Sequence, residues 1–246
     1  MAVRLARNLV DLDLRPGETV TLPDRVARHL GQVLRMKTGE ELVLFNGRDG
    51  RECRARIDRM TKKEIQARIL ECSEAEPPPL LRLHLALGIS RGERMDFALQ
   101  KAVELGVTRI TPLFTERTVV RLKAERLEKR LAHWQGIVTS ACEQSGRAYL
   151  PGFDEPASLE TWLKHEGGPK TLLLDPRADR TLPMLTASQG TLTFLIGPEG
   201  GFSDRERRLA YDSGCTGIRL GPRILRTETA PLAAMAAAQV LWGDFR

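Results

Sequence analysis

The chain has 246 residues, 41% of them hydrophobic and 28% charged, which fits one or two folded domains and argues against a disordered or collagen-like polymer. Its formal net charge of +6 and pI near 9.4 point weakly to a polyanionic partner. The excess is spread: 15 Lys/Arg against 12 Asp/Glu in residues 1–75, and 23 against 20 in residues 76–246, so only clustering in space would make it a binding footprint.

The first ten residues hold Arg4 and Arg7 but no apolar stretch like that of a signal peptide, and no later apolar run approaches the length of a membrane helix. A cytoplasmic protein with no membrane partner is therefore expected. Short strand candidates follow at Thr19 to Leu22, Glu41 to Phe45, Glu52 to Ile57 and Glu64 to Leu70. Asn46-Gly47 and Asp49-Gly50 are hairpin-type turn signals, and Pro23 to Leu30 begins a short helix. Cys53, Cys72, Cys142 and Cys215 are scattered, with no C-x-x-C pair and no neighbouring His cluster. They read as reduced thiols and not as disulfides or a zinc site, and no metal is expected.

Glu74-Ala75-Glu76-Pro77-Pro78-Pro79 is a stiff, extended linker, which sets the expected domains at 1–74 and 75–246. Beyond it the rhythm is βαβ. Leu81 to Ile89 is a strand, Ser90 to Leu105 a helix stopped at Gly106, and Val107 to Leu113 a second strand. Ala124 to Gln144 is the longest helix candidate, with Leu127, Leu131, Trp134, Val138 and Ala141 on one stripe. Pro151 to Gly168 reads as a loop with a short helix, and Thr171 to Leu174 as a buried strand ending in Asp175-Pro176.

The rest of the chain is organised by two strand-to-loop units. Leu192 to Ile196 runs into Gly197-Pro198-Glu199-Gly200-Gly201, and Gly217 to Leu220 runs into Gly221-Pro222-Arg223-Ile224-Leu225-Arg226-Thr227-Glu228-Thr229. Glycines at the carboxyl end of a buried strand let a ligand or another backbone approach, and that edge of an open α/β sheet is where ligands bind. Neither the G-x-G-x-x-G nor the P-loop spacing is present. Ser203-Asp204-Arg205-Glu206 reads as a capping box, and Ala230 to Val240 as a buried, apolar helix.

Leu195 to Phe202, followed by Leu220 to Ala230, resembles the signature of the SPOUT class of RNA methyltransferases. More narrowly it resembles the 16S rRNA (uracil(1498)-N(3))-methyltransferase family, over nearly the full chain. The resemblance implies an α/β fold: a carboxyl-terminal α/β-knot domain with a deep trefoil knot and a mostly parallel sheet, preceded by a small PUA-like β-barrel. It implies S-adenosylmethionine as cofactor, 16S rRNA within the 30S subunit as partner, and a homodimer, for which the Ala230 to Val240 helix is a candidate face, an internal core position fitting that helix equally well. Leu174, Asp175, Ile196, Gly197, Gly200, Gly201, Leu220, Gly221, Ile224, Leu225 and Thr229 are the implied cofactor-binding positions. Glu199 is read as a turn cap or a ribose ligand, with the turn favoured. In the first domain Val33 to Glu40 is similar to the PUA-like module, and Arg4, Arg7, Arg28 and Arg35, with Arg91 and Arg147, are expected RNA contacts; the alternative is separately solvated charges. Ala141 to Arg147 resembles a family motif that either lines a cleft or caps its helix.

Uridine N3 is protonated at neutral pH, so its methylation needs a base or an anion-stabilising cation. Arg226 is assigned the developing uracil anion or an RNA phosphate, and Glu228 the proton or the anchoring of Arg226; a structural ion pair is the competing reading for both. Two other functions compete: a same-fold methyltransferase acting on a ribose 2′-hydroxyl or a tRNA base, and a non-catalytic RNA-binding assembly factor.

Overall fold

The computed structural model describes residues 5–61, 64–118, 124–186 and 190–245. The chain divides into two compact units, Met1–Pro78 with Cys142–Leu150, and Pro79–Ala141 with Pro151–Arg246. This corrects the expected division at 74/75, because residues 142–150 belong with the first unit.

The first unit holds β1 (Ala6–Leu9), β2 (Thr19–Thr21), α1 (Asp24–Arg28), which runs into a π-turn at His29–Val33, β3 (Glu41–Phe45), β4 (Glu52–Met60) and β5 (Ile65–Cys72). Together the strands form a five-stranded sheet in the order β1-β3-β4-β5-β2. Alternation builds its core: Cys53, Ala55 and Ile57 point inward from β4, and Ile65, Ala67 and Ile69 from β5, against Leu42, Leu44, Val26 and Leu30. Sequence reasoning missed β1, whose Ala-Arg-Asn-Leu run shows no apolar alternation and which pairs parallel with β3.

Two of the four expected thiols are not free. Cys53 and Cys72 lie directly opposite one another across β4 and β5 and form a disulfide with an S–S distance of 1.97 Å. Hairpin register, invisible in the spacing of 19 residues, brings them together. Cys142 and Cys215 are buried free thiols.

Residues 142–150 attach to the first unit through Arg7 and Glu143. Arg7 donates from Nη1 to the carbonyls of Cys142 at 2.9 Å and Glu143 at 2.7 Å, and from Nη2 to that of Arg147 at 3.2 Å. It also pairs with Glu52 and lies over the Phe45 ring. Glu143 Oε1 accepts from the Leu9 amide at 3.0 Å and from Arg25 at 3.1 Å.

The second unit comprises β6 (Leu81–Gly88), α2 (Glu93–Glu104), β7 (Val107–Phe114), most of α3 (Ala124–Ser145), β8 (Gly152–Phe153), β9 (Ala157–Ser158), α4 (Leu159–Glu166), β10 (Thr171–Leu174), β11 (Gly190–Ile196), α5 (Asp204–Asp212), β12 (Thr216–Ile218) and α6 (Thr229–Trp242). Its seven strands pair in parallel, in the order β12-β10-β11-β6-β7-β8 with β9 beside β7. Buried on both faces, the strands read as apolar runs, which is why β6, β7, β10 and β11 were legible. Trp162 and Leu163 of α4 and Ala210 of α5 pack on Leu173, Leu195 and Ala86, while α6 packs with α2 over β6 and β11. The two-residue strands β8 and β9 fall in the stretch expected to be loop.

Candidate active site

β12, β10 and β11 are neighbours in a parallel sheet, so their carboxyl ends share one edge. The segments that leave them, 174–177, 196–202 and 218–230, line one cavity of about 670 Å³, with Arg94 of α2 and Arg117 after β7 on its wall. Leu174, Asp175, Ile196, Gly197, Gly200, Gly201, Leu220, Gly221, Ile224, Leu225, Arg226 and Glu228 are all brought together there. Thr229 is not: it opens α6, with its amide bonded to the Arg226 carbonyl at 2.9 Å, and it does not line the cavity.

The first loop is held on every side. At Gly88 of β6 a Cβ would lie 2.5 Å from the Pro198 nitrogen, so the loop's close approach requires glycine there. The Gly201 amide bonds the Pro198 carbonyl at 2.8 Å, and Gly201 has φ of 64°, a left-handed turn residue. The capping box forms in both directions: Ser203 Oγ accepts from the Glu206 amide at 3.1 Å, and Glu206 accepts from the Ser203 amide at 2.8 Å. Glu199 is held by partners far away in sequence. Its Oε1 accepts from the Arg91 amide at 2.9 Å and from Arg94 at 3.3 Å, tying the loop to the start of α2. Burial pushes its carboxyl up, but the bonds from the Arg91 amide and Arg94 prevail and hold it below the usual glutamate range. Arg117 donates to the Gly200 carbonyl at 2.8 Å.

Asp175 also faces the cavity but is fully engaged, with Oδ1 accepting from the Arg177 amide at 3.0 Å and Oδ2 from Tyr211 at 3.1 Å. Burial, and then the Asp175 charge, push the Tyr211 hydroxyl up to about 12. Asp175 therefore shapes the wall more than it offers a ligand oxygen.

The second loop is open. Ile224 is 85% exposed, and Gly221 turns at φ 74°. The side chains of Arg219, Arg223 and Arg226 are exposed on the cavity rim and make no hydrogen bond or ion pair among the described residues. Glu228 Oε2 is buried and without a partner. No ion pair joins Glu228 to Arg226 among the described residues, which sets aside the reading of Glu228 as the anchor of Arg226. A buried carboxylate oxygen with nothing to accept from, on the same loop as unpaired guanidiniums that line the cavity, is an arrangement that a bound group can complete.

Sequence reasoning missed Arg94, Arg117 and Arg207, which line the same cavity. The one available signal was position, since Arg94 follows β6 and Arg117 follows β7. Of the expected RNA contacts, Arg4 lies outside the described residues. Arg7 is corrected: its side chain is 8% exposed and its donors are taken by Glu52 and three carbonyls, so it is a structural clamp. Arg28 is exposed and, among the described residues, its side chain bonds only its own helix at the Asp24 carbonyl; Arg35 is exposed, with φ of 54°. Arg91 is exposed beside Glu199, and Arg147 is half-buried next to Arg7. Residues 142–147 of the Ala141 to Arg147 motif belong to the first unit, and the motif does not line the cavity.

Residues 76–239 match a family model described as the RNA methyltransferase domain, and residues 22–70 match one described as the RNA methyltransferase PUA domain. The chain is 35% identical to the ribosomal RNA small subunit methyltransferase E of Buchnera aphidicola subsp. Schizaphis graminum over 99% of each chain. It is 27% identical to that of Bacillus subtilis over 96% of this chain and 97% of the relative. Among solved structures, the ribosomal RNA small subunit methyltransferase E of Neisseria gonorrhoeae bound to S-adenosyl methionine is 41% identical with a TM-score of 0.90, covering 99% of this chain and all of the other. A Legionella pneumophila protein solved with the cofactor SAM is 40% identical with a TM-score of 0.95, over 99% and 100% of the two chains.

Proposed function

The chain belongs to the family of the ribosomal RNA small subunit methyltransferase E proteins, and from that premise we propose that it methylates N3 of one uridine of 16S rRNA, position 1498, using S-adenosylmethionine. The observation that carries the reading is the cavity at three adjacent strand ends, glycine-lined on one wall and edged by unpaired arginines and an unpaired carboxylate on another. Its size is that of a small-molecule site.

The residues fit the cofactor. The main chain of 196–201 and 220–225 offers N–H and C=O groups to an adenosine, and Ile196, Leu220 and Leu225 offer apolar walls to its ring. When bound there, S-adenosylmethionine supplies an activated methyl group on a sulfonium, so no metal is needed. Among the described residues no group of three His, Cys, Asp or Glu could hold one. The protein's task is to align the uridine and manage its N3 proton. Arg226, unpaired and on the rim, stabilises the negative charge that develops on the uracil ring as that proton leaves. Glu228 Oε2, unpaired and buried, accepts the proton. Arg219, Arg223 and Arg94, which line the cavity, take phosphates of the incoming strand, and Arg91, Arg28 and Arg35 give additional backbone contacts.

The 30S subunit is the proposed form of the substrate and a homodimer the proposed form of the enzyme. The dimer face runs along an apolar groove between Leu182-Pro183 and Ala236, Ala237, Val240 and Leu241 of α6, with Val240 59% exposed. Light scattering of the pure protein tests it, a monomeric mass being the contrary result. No helix among the described residues is long and apolar enough to cross a membrane.

Methyl transfer from labelled S-adenosylmethionine to 30S subunits and, separately, to naked 16S RNA, both from cells lacking the activity, tests the function. Label recovered as 3-methyluridine supports it. Label at a ribose or only in tRNA retains the fold and overturns the substrate, and absence of cofactor binding favours a non-catalytic RNA-binding protein.

A further inference from the structure

β6, the first loop and the second loop meet at one pair of buried hydroxyls. Ser90 is 1% exposed and Thr227 8%. Thr227 Oγ1 donates to the Gly197 carbonyl at 2.9 Å. Ser90 Oγ lies 3.3 Å from Thr227 Oγ1 and 3.3 Å from the Gly88 carbonyl. A hydroxyl carries one proton, so with its own committed to Gly197, Thr227 can only accept from Ser90. Three segments distant in sequence are thereby joined through two side chains.

We propose that Thr227 is a positioning residue for methyl transfer, its buried hydroxyl fixing the second loop so that Arg226 and Glu228, on either side of it, are held at the pocket. The inference rests on the reading of the site given above. Arg226 has no side-chain partner of its own, and Glu228 Oε2 has none either. The bonds from the Thr229 and Ala230 amides to the Arg226 carbonyl close a local turn but do not tie it to the sheet. An exposed loop would turn an unpaired carboxylate toward water, since burial without a partner is costly. Thr227 is what ties this turn to the first loop and to β6. Ser90 extends the tie, because the next residue, Arg91, gives its amide to Glu199 of the first loop. The loop that holds the cofactor and the residues that perform the chemistry are thus braced against each other, and a displacement of about 1 Å at such a site costs on the order of a hundredfold in rate.

The test compares the full-length wild type with Thr227→Val, Thr227→Ser and Ser90→Ala. It reads single-turnover transfer to 30S subunits at saturating cofactor, cofactor Kd by calorimetry, and thermal midpoint. Thr227→Val keeps the shape and removes both bonds; the expected result is a rate lowered about 100-fold with the cofactor Kd changed by less than about threefold. Thr227→Ser keeps the hydroxyl and is expected within about fivefold of wild type, and Ser90→Ala in between. A valine variant with native turnover overturns the proposal. So does a rate loss matched by an equal loss of cofactor affinity, or a serine variant no better than valine. Should Thr227→Val fail to fold, Ser90→Ala decides: an unchanged rate there overturns the proposal. A wild type that binds cofactor but methylates neither 30S nor RNA removes the function and this inference with it; an active wild type with an equally active Thr227→Val removes the inference only.

Discussion

The two loops that meet at the pocket are built on the same plan and finished in opposite ways. Both leave a parallel strand at a Gly-Pro step and both precede a helix. The first is clasped by Glu199 to α2, by Arg117 at Gly200 and by a capping box at Ser203. The second has one buried side-chain tie, at Thr227, and presents Arg219, Arg223 and Arg226 with no protein partner among the described residues. Rigid, satisfied backbone suits a site that binds the same cofactor each turnover. Unsatisfied charge suits a site whose partner arrives with the substrate, because the missing bonds are then made where they lower the barrier. The proposed roles follow this difference: the clasped first loop is the rigid part of a cofactor seat that the main chain of 220–225 shares, and the unpaired side chains of the second loop carry the chemistry.

The largest effect should come from the open loop. Arg226→Ala is expected to lower kcat about 1000-fold, the upper range for removing a cation from a developing charge, with little change in cofactor affinity. Arg226→Lys keeps the charge but not the planar fork; near-native turnover of this variant would show that Arg226 has no demanding geometric role. Glu228→Gln comes next, at about 100-fold in kcat, in the low range for general base catalysis. If its turnover stays within about threefold of wild type, the proton goes elsewhere, and the unpaired carboxylate oxygen needs another explanation.

Both loops were legible in the sequence, the contrast between them was not, and the reasons are physical. Gly-Pro after an apolar run marked both loops, and Thr171 to Leu174 was legible as a strand ending in Asp175-Pro176 because a strand buried on both faces reads as an apolar run. The capping box at Ser203 was readable because its partners are three residues apart. The partners of Glu199, by contrast, are more than a hundred residues away, so the first loop's rigidity left no local trace. The same holds for Arg7, which looked like a phosphate-gripping cation and is a clamp on a segment 135 residues later. Cys53 and Cys72 are joined by register across a hairpin, which spacing does not encode. Long-range pairing is what periodicity cannot see. It removed two expected thiols and one expected RNA contact and left the βαβ reading of the second unit in place.

A smaller effect is expected at the clasped loop, and of a different kind. Glu199→Gln weakens the bonds to the Arg91 amide and Arg94, and the expected loss is in cofactor affinity, about tenfold, with kcat at saturating cofactor nearly native. A kcat loss at unchanged affinity would overturn the cofactor role of the clasp.

The clasp should also be visible as a pH dependence, the smallest effect of the set. The carboxyl of Glu199 is held below its ordinary value of 4.5. A depressed folded value means that its contribution is fully present above 4.5 and is lost as pH falls through the folded value, so the clasp loosens only in strong acid. One other group must be separated from it. His84, buried in β6 beside Thr111, is pushed down from 6.5 to about 4, by burial first and by the Arg109 charge second. The folded state then resists a proton that the unfolded chain accepts, so global stability is complete above 6.5 and declines from there toward pH 4. Thermal midpoints should therefore fall across that whole window, more gently once His84 is replaced by Gln. Cofactor affinity measured on folded protein should hold until below 4.5 and then drop, and Glu199→Gln should abolish that drop while leaving the slope of the midpoints between 6.5 and 4.5 unchanged. An affinity that tracks the midpoints instead would mean that the first loop has no separate clasp, and that its rigidity is only that of the fold.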